Sequence, residues 1–109
     1  MRAGLVQLNV TDDPVANLPV TLDLVRQAVA GGAGVVLTPE LTNGLSSSRA
    51  HQRSVFRHEE NDATLAALRA EAKAAGIWLL IGSLGVLTRD ADGRFANRSF
   101  LLAPDGGLA

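Results

Sequence analysis

The chain has 109 residues, 47% hydrophobic and 19% charged, the composition of one small globular domain with a thin core. Ten basic residues nearly balance eleven acidic ones, and no Lys/Arg cluster points to nucleic acid or an anionic membrane. Cysteine is absent, which removes disulfides, thiolate metal sites and a thiol nucleophile from these residues, and 4% aromatic content is too low for base-stacking platforms.

The opening MRAGLVQLNVTDD carries one Arg and a short apolar run broken by Gln7 and Asn9. It reads as a strand over residues 3–9, not as a signal peptide. No apolar stretch approaches the length of a membrane span, so a soluble, cytoplasmic protein is expected. The TDDP that follows is turn chemistry. Asn17 is a plausible helix N-cap, with Pro19 tolerated in the first turn, where a missing N–H costs no hydrogen bond. Leu18, Leu22, Val25 and Val29 then recur at helical spacing, and Gly31-Gly32 ends the helix.

Val35-Val36-Leu37 is continuously apolar and β-branched, as in a strand buried on both faces of a sheet. Strand, helix, short glycine-rich turn and strand make a βαβ unit, which implies parallel pairing and a right-handed crossover. Residues 38–62 are polar and lack regular periodicity, a long connection of the kind that often carries function, with a short helix around Ser48–Val55. Asn61 or Asp62 can cap a second clear helix over 63–75, whose apolar face is Leu65, Leu68, Ala72 and Ala75 and whose stop is Gly76. Ile77–Ile81 reads as the third buried strand, with Trp78 in the core. Gly82-Ser83, an apolar segment at Leu84–Thr88, a turn at 91–93 and a partner at Arg94–Ala103 read as a hairpin.

The order β-α-β-α-β-β predicts an α/β fold with a mixed sheet and helices. Two helices can hardly cover both faces of a parallel-rich sheet. Pro104-Asp105-Gly106-Gly107 is strong turn chemistry followed by only Leu108 and Ala109. Residues 1–109 are therefore expected to be a single incomplete domain, or one completed by another chain.

Glu40 is the sharpest candidate for chemistry. It stands in Leu37-Thr38-Pro39-Glu40, just past the carboxyl end of a buried strand, where open α/β sheets bind ligands. Pro39 stops the ladder and stiffens the chain there. A carboxylate leaving a hydrophobic strand can be partly desolvated, which suits general-base work. The alternative is a solvated loop glutamate.

Several pieces of the chain resemble the nitrilase, or carbon–nitrogen hydrolase, superfamily. They are Ala3-Gly4-Leu5-Val6-Gln7 as the opening strand, Asn17 opening the first helix, and Gly34-Val35-Val36-Leu37-Thr38-Pro39-Glu40 running into a Pro-Glu dipeptide. Ile77–Ser83 running into Gly-Ser, Asn97 after an aromatic, and Asp105-Gly106 in the final turn complete the set. Each motif alone is weak, but their order covers essentially the whole chain. The resemblance implies the N-terminal part of a four-layer αββα sandwich, usually assembled as homo-oligomers. It also implies a Glu-Lys-Cys triad that cleaves the C–N bond of a small-molecule amide or nitrile, with no metal or organic cofactor. Glu40 matches the general base. The Lys and Cys are not carried over: the lone lysine, Lys73, lies on the second helix and outside the motif, and there is no cysteine. The chain alone is therefore expected to be inactive by the thiol route.

Other candidates are weaker. His51 and His58 lie two helical turns apart without an evident third ligand, and read better as surface residues. Glu59, Glu60 and Asp62 are explained by capping and the helix dipole. Ser46-Ser47-Ser48 lacks the context of a nucleophile elbow. Gly31–Gly34 follows a helix and precedes a strand, the reverse of a phosphate loop. Thr42 and Asn43 could line a pocket beside Glu40 or satisfy the turn backbone. The competing functional reading is a self-contained α/β binding or interaction module without catalysis.

Overall fold

The computed structural model describes residues 1–46, 48–89 and 95–109. In chain order the elements are β1 (Ala3–Leu5), α1 (Pro14–Ala30), β2 (Val35–Thr38), α2 (Arg49–Val55), a 3₁₀ turn (Glu59–Asn61), α3 (Ala63–Ala75), β3 (Trp78–Leu87) and β4 (Phe95–Leu102). The expected strand–helix order holds, as do the short helix after Ser48 and the helix over 63–75. The turn expected at 91–93 lies outside the described residues.

Helix α1 begins earlier than expected. Asp13 is its N-cap, accepting the Val15 N–H, and Pro14 occupies the first helical position, for which its fixed φ suits it. Asn17 is therefore not the cap but a buried residue within the helix, and Pro19 falls in the second turn. The buried stripe runs through Asn17, Thr21 and Val25, while Leu22 and Val29 lie at its margin. Helix α3 is capped by Asp62, which accepts the Leu65 N–H at 2.7 Å, and ends at Gly76, whose left-handed φ of 65° a side chain would oppose.

The four strands form one sheet in the order β1-β2-β3-β4, parallel across the first three and antiparallel between β3 and β4. Register sorts the side chains into rows. Val36, Leu79 and Leu102 stand in one row, and Thr38, Ile81 and Phe100 in another. These rows meet Val25 of α1 and Leu65, Leu68 and Ala72 of α3 in the core. A forked ion pair, Arg26 Nε to Glu71 at 3.0 Å and Nη2 at 3.1 Å, links the two helices at the surface.

The alternate rows face the other way. Leu5, Leu37, Leu80 and Leu101 line up across all four strands, with Val35 and Trp78 one row behind. Leu5 is 77% exposed, Leu101 41%, Trp78 38% and Leu80 37%. This corrects two sequence expectations. The strands are continuously apolar, but both helices lie on one face, so the sheet is not buried on both sides and Trp78 is not core. The final turn forms where it is expected. Ala103 donates to Gly107 O, Leu108 bridges Leu102, and Ala109 donates to Leu101 O, so the chain returns antiparallel to β4. Among the described residues no helix is long and apolar enough to cross a membrane.

Candidate active site

The carboxyl ends of β1, β2 and β3 lie along one edge of the sheet, and Glu40 leaves the sheet there. β2 ends at Thr38, and the chain steps outward through Pro39 and Glu40 before returning to the flank of β3. The return is tightly bonded. Leu41 N–H donates to Ser83 Oγ at 2.9 Å, and Thr42 N–H donates to Ser83 O at 2.9 Å. Ser83 N–H reaches Pro39 O at 3.4 Å. The Thr42 hydroxyl donates to Pro39 O at 2.6 Å and sits 2.9 Å from the Thr38 hydroxyl. Thr42 is fully buried, so these bonds satisfy groups that water cannot reach. Within this frame Glu40 is exposed, and among the described residues its carboxylate has no hydrogen-bond or ion-pair partner. The outward step carries Glu40 clear of the core formed by these residues.

Two irregularities make the step possible. Leu41 has φ +50°, the only non-glycine positive φ among the described residues. For a leucine that conformation costs about 1–2 kcal/mol and persists only where neighbours enforce it. The β3–β4 register also shifts between Ile81 and Leu84, a bulge that turns Ser83 toward the returning chain. Gly82 belongs to the same device. A Cβ there would lie 2.5 Å from Thr38 O and 2.6 Å from Pro39 O, so only glycine lets the two backbones approach.

Behind the kink lies a buried polar network. The Asn43 side chain acts like a strand backbone: Oδ1 accepts Gly85 N–H at 2.9 Å and Nδ2 donates to Gly85 O at 2.8 Å. The Asn43 amide also lies close enough to the Asp62 carboxylate to favour its ionised form. The Asn43 backbone carbonyl accepts Asn17 Nδ2 at 3.0 Å. Asn17 Oδ1 in turn accepts the Thr11 N–H and hydroxyl, at 3.0 and 2.8 Å. The network ties the loop after β1, helix α1 and strand β3 to the segment carrying Glu40. The choice left open for Thr42 and Asn43 is resolved toward the backbone, since both are buried and bonded to it. Sequence reasoning missed Asn17 and Ser83 as structural anchors. Gly82-Ser83 inside an apolar strand was the available signal, since that pattern marks a bulge.

Burial pushes the Asp62 carboxyl above the ordinary carboxylate range, against the hydrogen bonds from Leu65, Asn43 and Thr64, which lower it. A raised folded-state value means the native chain holds this proton more tightly than the unfolded chain. Stability from this group is then fully present below the unfolded value and is lost as pH rises through the folded one. Asp62→Asn keeps the capping oxygen and removes the ionisation. Its stability relative to wild type is expected to be most favourable near pH 7 and to decline toward pH 4, whereas Asp62→Ala loses about 1–2 kcal/mol of capping. Urea melts across that range check both, and a relative stability that grew on acidification would contradict the sign.

The remaining candidates stand apart from this site. His51 Nε2 lies 2.6 Å from Asp12 O and His58 Nδ1 lies 3.1 Å from Leu87 O, so each histidine ties a separate loop. Among the described residues no group of three His, Asp or Glu side chains could hold a metal. Glu59 pairs with Arg98 and Glu60 with Arg89. Ser48 caps α2, Ser47 lies outside the described residues, and Lys73 is exposed on α3. A cavity of about 510 Å³ lies where β1 meets α1 and does not include Glu40.

A carboxylate on an enforced kink at the carboxyl edge of a parallel sheet fits the hydrolase-type resemblance, and the comparisons agree with it. The profile of the family described as carbon-nitrogen hydrolase matches residues 2–109. The chain belongs to the carbon–nitrogen hydrolase family. Its structure is similar to that of an amidase from Nesterenkonia sp., at 30% identity and TM-score 0.79, covering 100% of this chain and 40% of that one. A cysteine-to-alanine mutant of the amidase from Nesterenkonia sp. AN1 in complex with butyramide aligns at 30% identity and TM-score 0.77, covering 100% and 41%. An N-terminal amidase matches in fold alone, at 15% identity and TM-score 0.76, covering 98% and 26%. No curated protein matched. The chain thus spans about 40% of the length of the Nesterenkonia amidase structures it resembles, and the fold is of the nitrilase type.

Proposed function

We propose that these residues form the base-carrying N-terminal part of a domain that hydrolyses non-peptide C–N bonds of small amides or nitriles. The observation that carries this reading is Glu40: exposed, unpartnered among the described residues, and held on an enforced kink at the carboxyl edge of the sheet in a chain of this family. In the proposed cycle the Glu40 carboxylate takes the proton of a thiol, and the thiolate attacks the amide carbon. Ammonia leaves with a proton as a thioester forms, and water then releases the acid. A lysine stabilises the charge that develops on the substrate. The thiol must come from outside these 109 residues, which hold no cysteine. Assembly as a homo-oligomer and a cytoplasmic location belong to the same reading. Short aliphatic amides are the first substrates to try, because Nesterenkonia amidase variants were captured with acrylamide and butyramide.

The test is a fusion in which residues 1–109 replace the matched portion of the Nesterenkonia amidase, which supplies the remaining sequence. The fusion is expected to release ammonia from butyramide and to accumulate a thioester visible by mass spectrometry. The 109-residue chain alone is expected to form no acyl adduct. A soluble, folded fusion without turnover, or an acyl adduct on the chain alone, would sink the proposal.

A further inference from the structure

We propose that Ser83 is a positioning residue for Glu40: its hydroxyl holds Leu41 in the left-handed conformation and so sets the direction in which Glu40 leaves the sheet. The inference rests on the reading of Glu40 as the general base.

Among the described residues Glu40 has no hydrogen-bond or ion-pair partner that would orient it, so its direction comes from the backbone on either side. On the N-terminal side, Pro39 fixes its own φ. On the C-terminal side, Leu41 occupies a conformation that leucine disfavours. Something must hold it there, and Ser83 Oγ is the group bonded to the Leu41 N–H. Ser83 is 4% exposed, so the bond is shielded from competing water. The same residue grips the chain from both sides of Glu40, accepting Thr42 N–H through its carbonyl and donating its N–H to Pro39 O. Three bonds from one residue bracket the three-residue excursion on whose middle Glu40 stands.

The arrangement also accounts for the bulge. Were β3 regular through Gly82 and Ser83, alternation would not deliver both the Ser83 carbonyl and its hydroxyl to one returning strand. The irregularity aims both at Leu41 and Thr42. The backbone bonds alone would close the loop, as a backbone hairpin does. The hydroxyl is the part that depends on residue identity, and it bonds the residue whose conformation is strained.

The experiment compares wild type, Ser83→Ala and Ser83→Thr in two settings. In the 109-residue chain, nuclear magnetic resonance reads three things: the strong intraresidue HN–Hα contact that marks a positive φ at Leu41, the Leu41 amide exchange rate, and the Cα–Hα residual dipolar coupling of Glu40. Ser83→Ala is expected to weaken the Leu41 contact, to speed its exchange about tenfold, the scale of one lost hydrogen bond, and to change the Glu40 coupling. Amides of Leu79 and Ile81 in the same strand should stay protected. Ser83→Thr, which keeps the hydroxyl, should restore all three signals. In the fusion, Ser83→Ala should lower kcat about tenfold with KM little changed, since Ser83 touches no substrate. A Leu41 that keeps its positive φ and slow exchange in Ser83→Ala overturns the inference, as does an unaltered Glu40 coupling. If instead Leu41 and Glu40 respond but Glu40→Gln leaves turnover intact, the base reading fails and the backbone account survives. Those two failures are therefore told apart.

Discussion

Replacing Glu40 by glutamine in the fusion is expected to lower kcat/KM for butyramide by about 100-fold or more, with the fold untouched. The substitution is nearly isosteric, and the side chain is exposed without a partner among the described residues. Surface changes of that kind normally move stability by less than about 0.5 kcal/mol. The rate is another matter. An amide cannot accept the thiol proton, and positioned general bases contribute typically 10²–10⁴-fold. The loss should fall on kcat, because deprotonation belongs to the chemical step and not to substrate binding. It should also shrink as pH rises toward about 8.5, where an ordinary thiol ionises without help. Thus the ratio of wild-type to variant rates, followed from pH 6 to 9, separates a base from a residue that merely shapes the pocket. A ratio that stays flat over that range, or a variant as fast as wild type, would remove Glu40 from the role.

That Glu40 stands out in sequence as a candidate while the bonds supporting it do not has a physical reason. Local rules expose what local chemistry dictates. Pro39 before Glu40 marks the end of a strand, Gly76 marks the end of a helix, and the apolar runs at 35–37 and 77–81 mark the inner strands. Those features were read correctly from spacing. The bonds that hold Glu40 out are separated by long stretches of chain: Leu41 to Ser83 and Asn43 to Gly85 each span 42 residues. No window of sequence contains both partners. Asn17 was misread for the same reason. As a local signal an asparagine before an apolar stripe is a good cap, but here Asp13-Pro14 supplies a better one. The freed Asn17 amide is committed to the Asn43 carbonyl, 26 residues away. The exposed sheet face was misjudged differently. Continuous apolar strands do predict two covered faces, and in this chain both long helices fall on the same side. The leucine row through Leu5, Leu37, Leu80 and Leu101 is apolar surface that an αββα sandwich would cover with its second sheet.

The second large effect is expected at Asn43, where stability and not rate should respond. Asn43→Ala removes a side chain that is 1% exposed and strands two groups together, the Gly85 N–H and the Gly85 carbonyl. Each buried polar group left without a partner costs about 1–3 kcal/mol, so a loss of about 3 kcal/mol or more is expected in urea melts. For a chain this size, whose whole stability is on the order of 5–15 kcal/mol, that is a large share. Asn43→Asp should be no milder at pH 7. It keeps an acceptor for Gly85 N–H, but it loses the donor to Gly85 O and sets a second carboxylate near Asp62. Two carboxylates at one buried site hold a shared proton tightly, so the defect should ease as pH falls. The decisive comparison is the exchange of the two side chains. Combining Asn43→Asp with Asp62→Asn leaves one carboxylate and one amide in the pair with their positions swapped, and it returns a donor between them. Recovery of at least about 1 kcal/mol over Asn43→Asp alone is expected, a coupling within the range of contacting residues. A steric role for Asn43 would show no such recovery, because the swap changes charge and donor placement and leaves volume nearly constant.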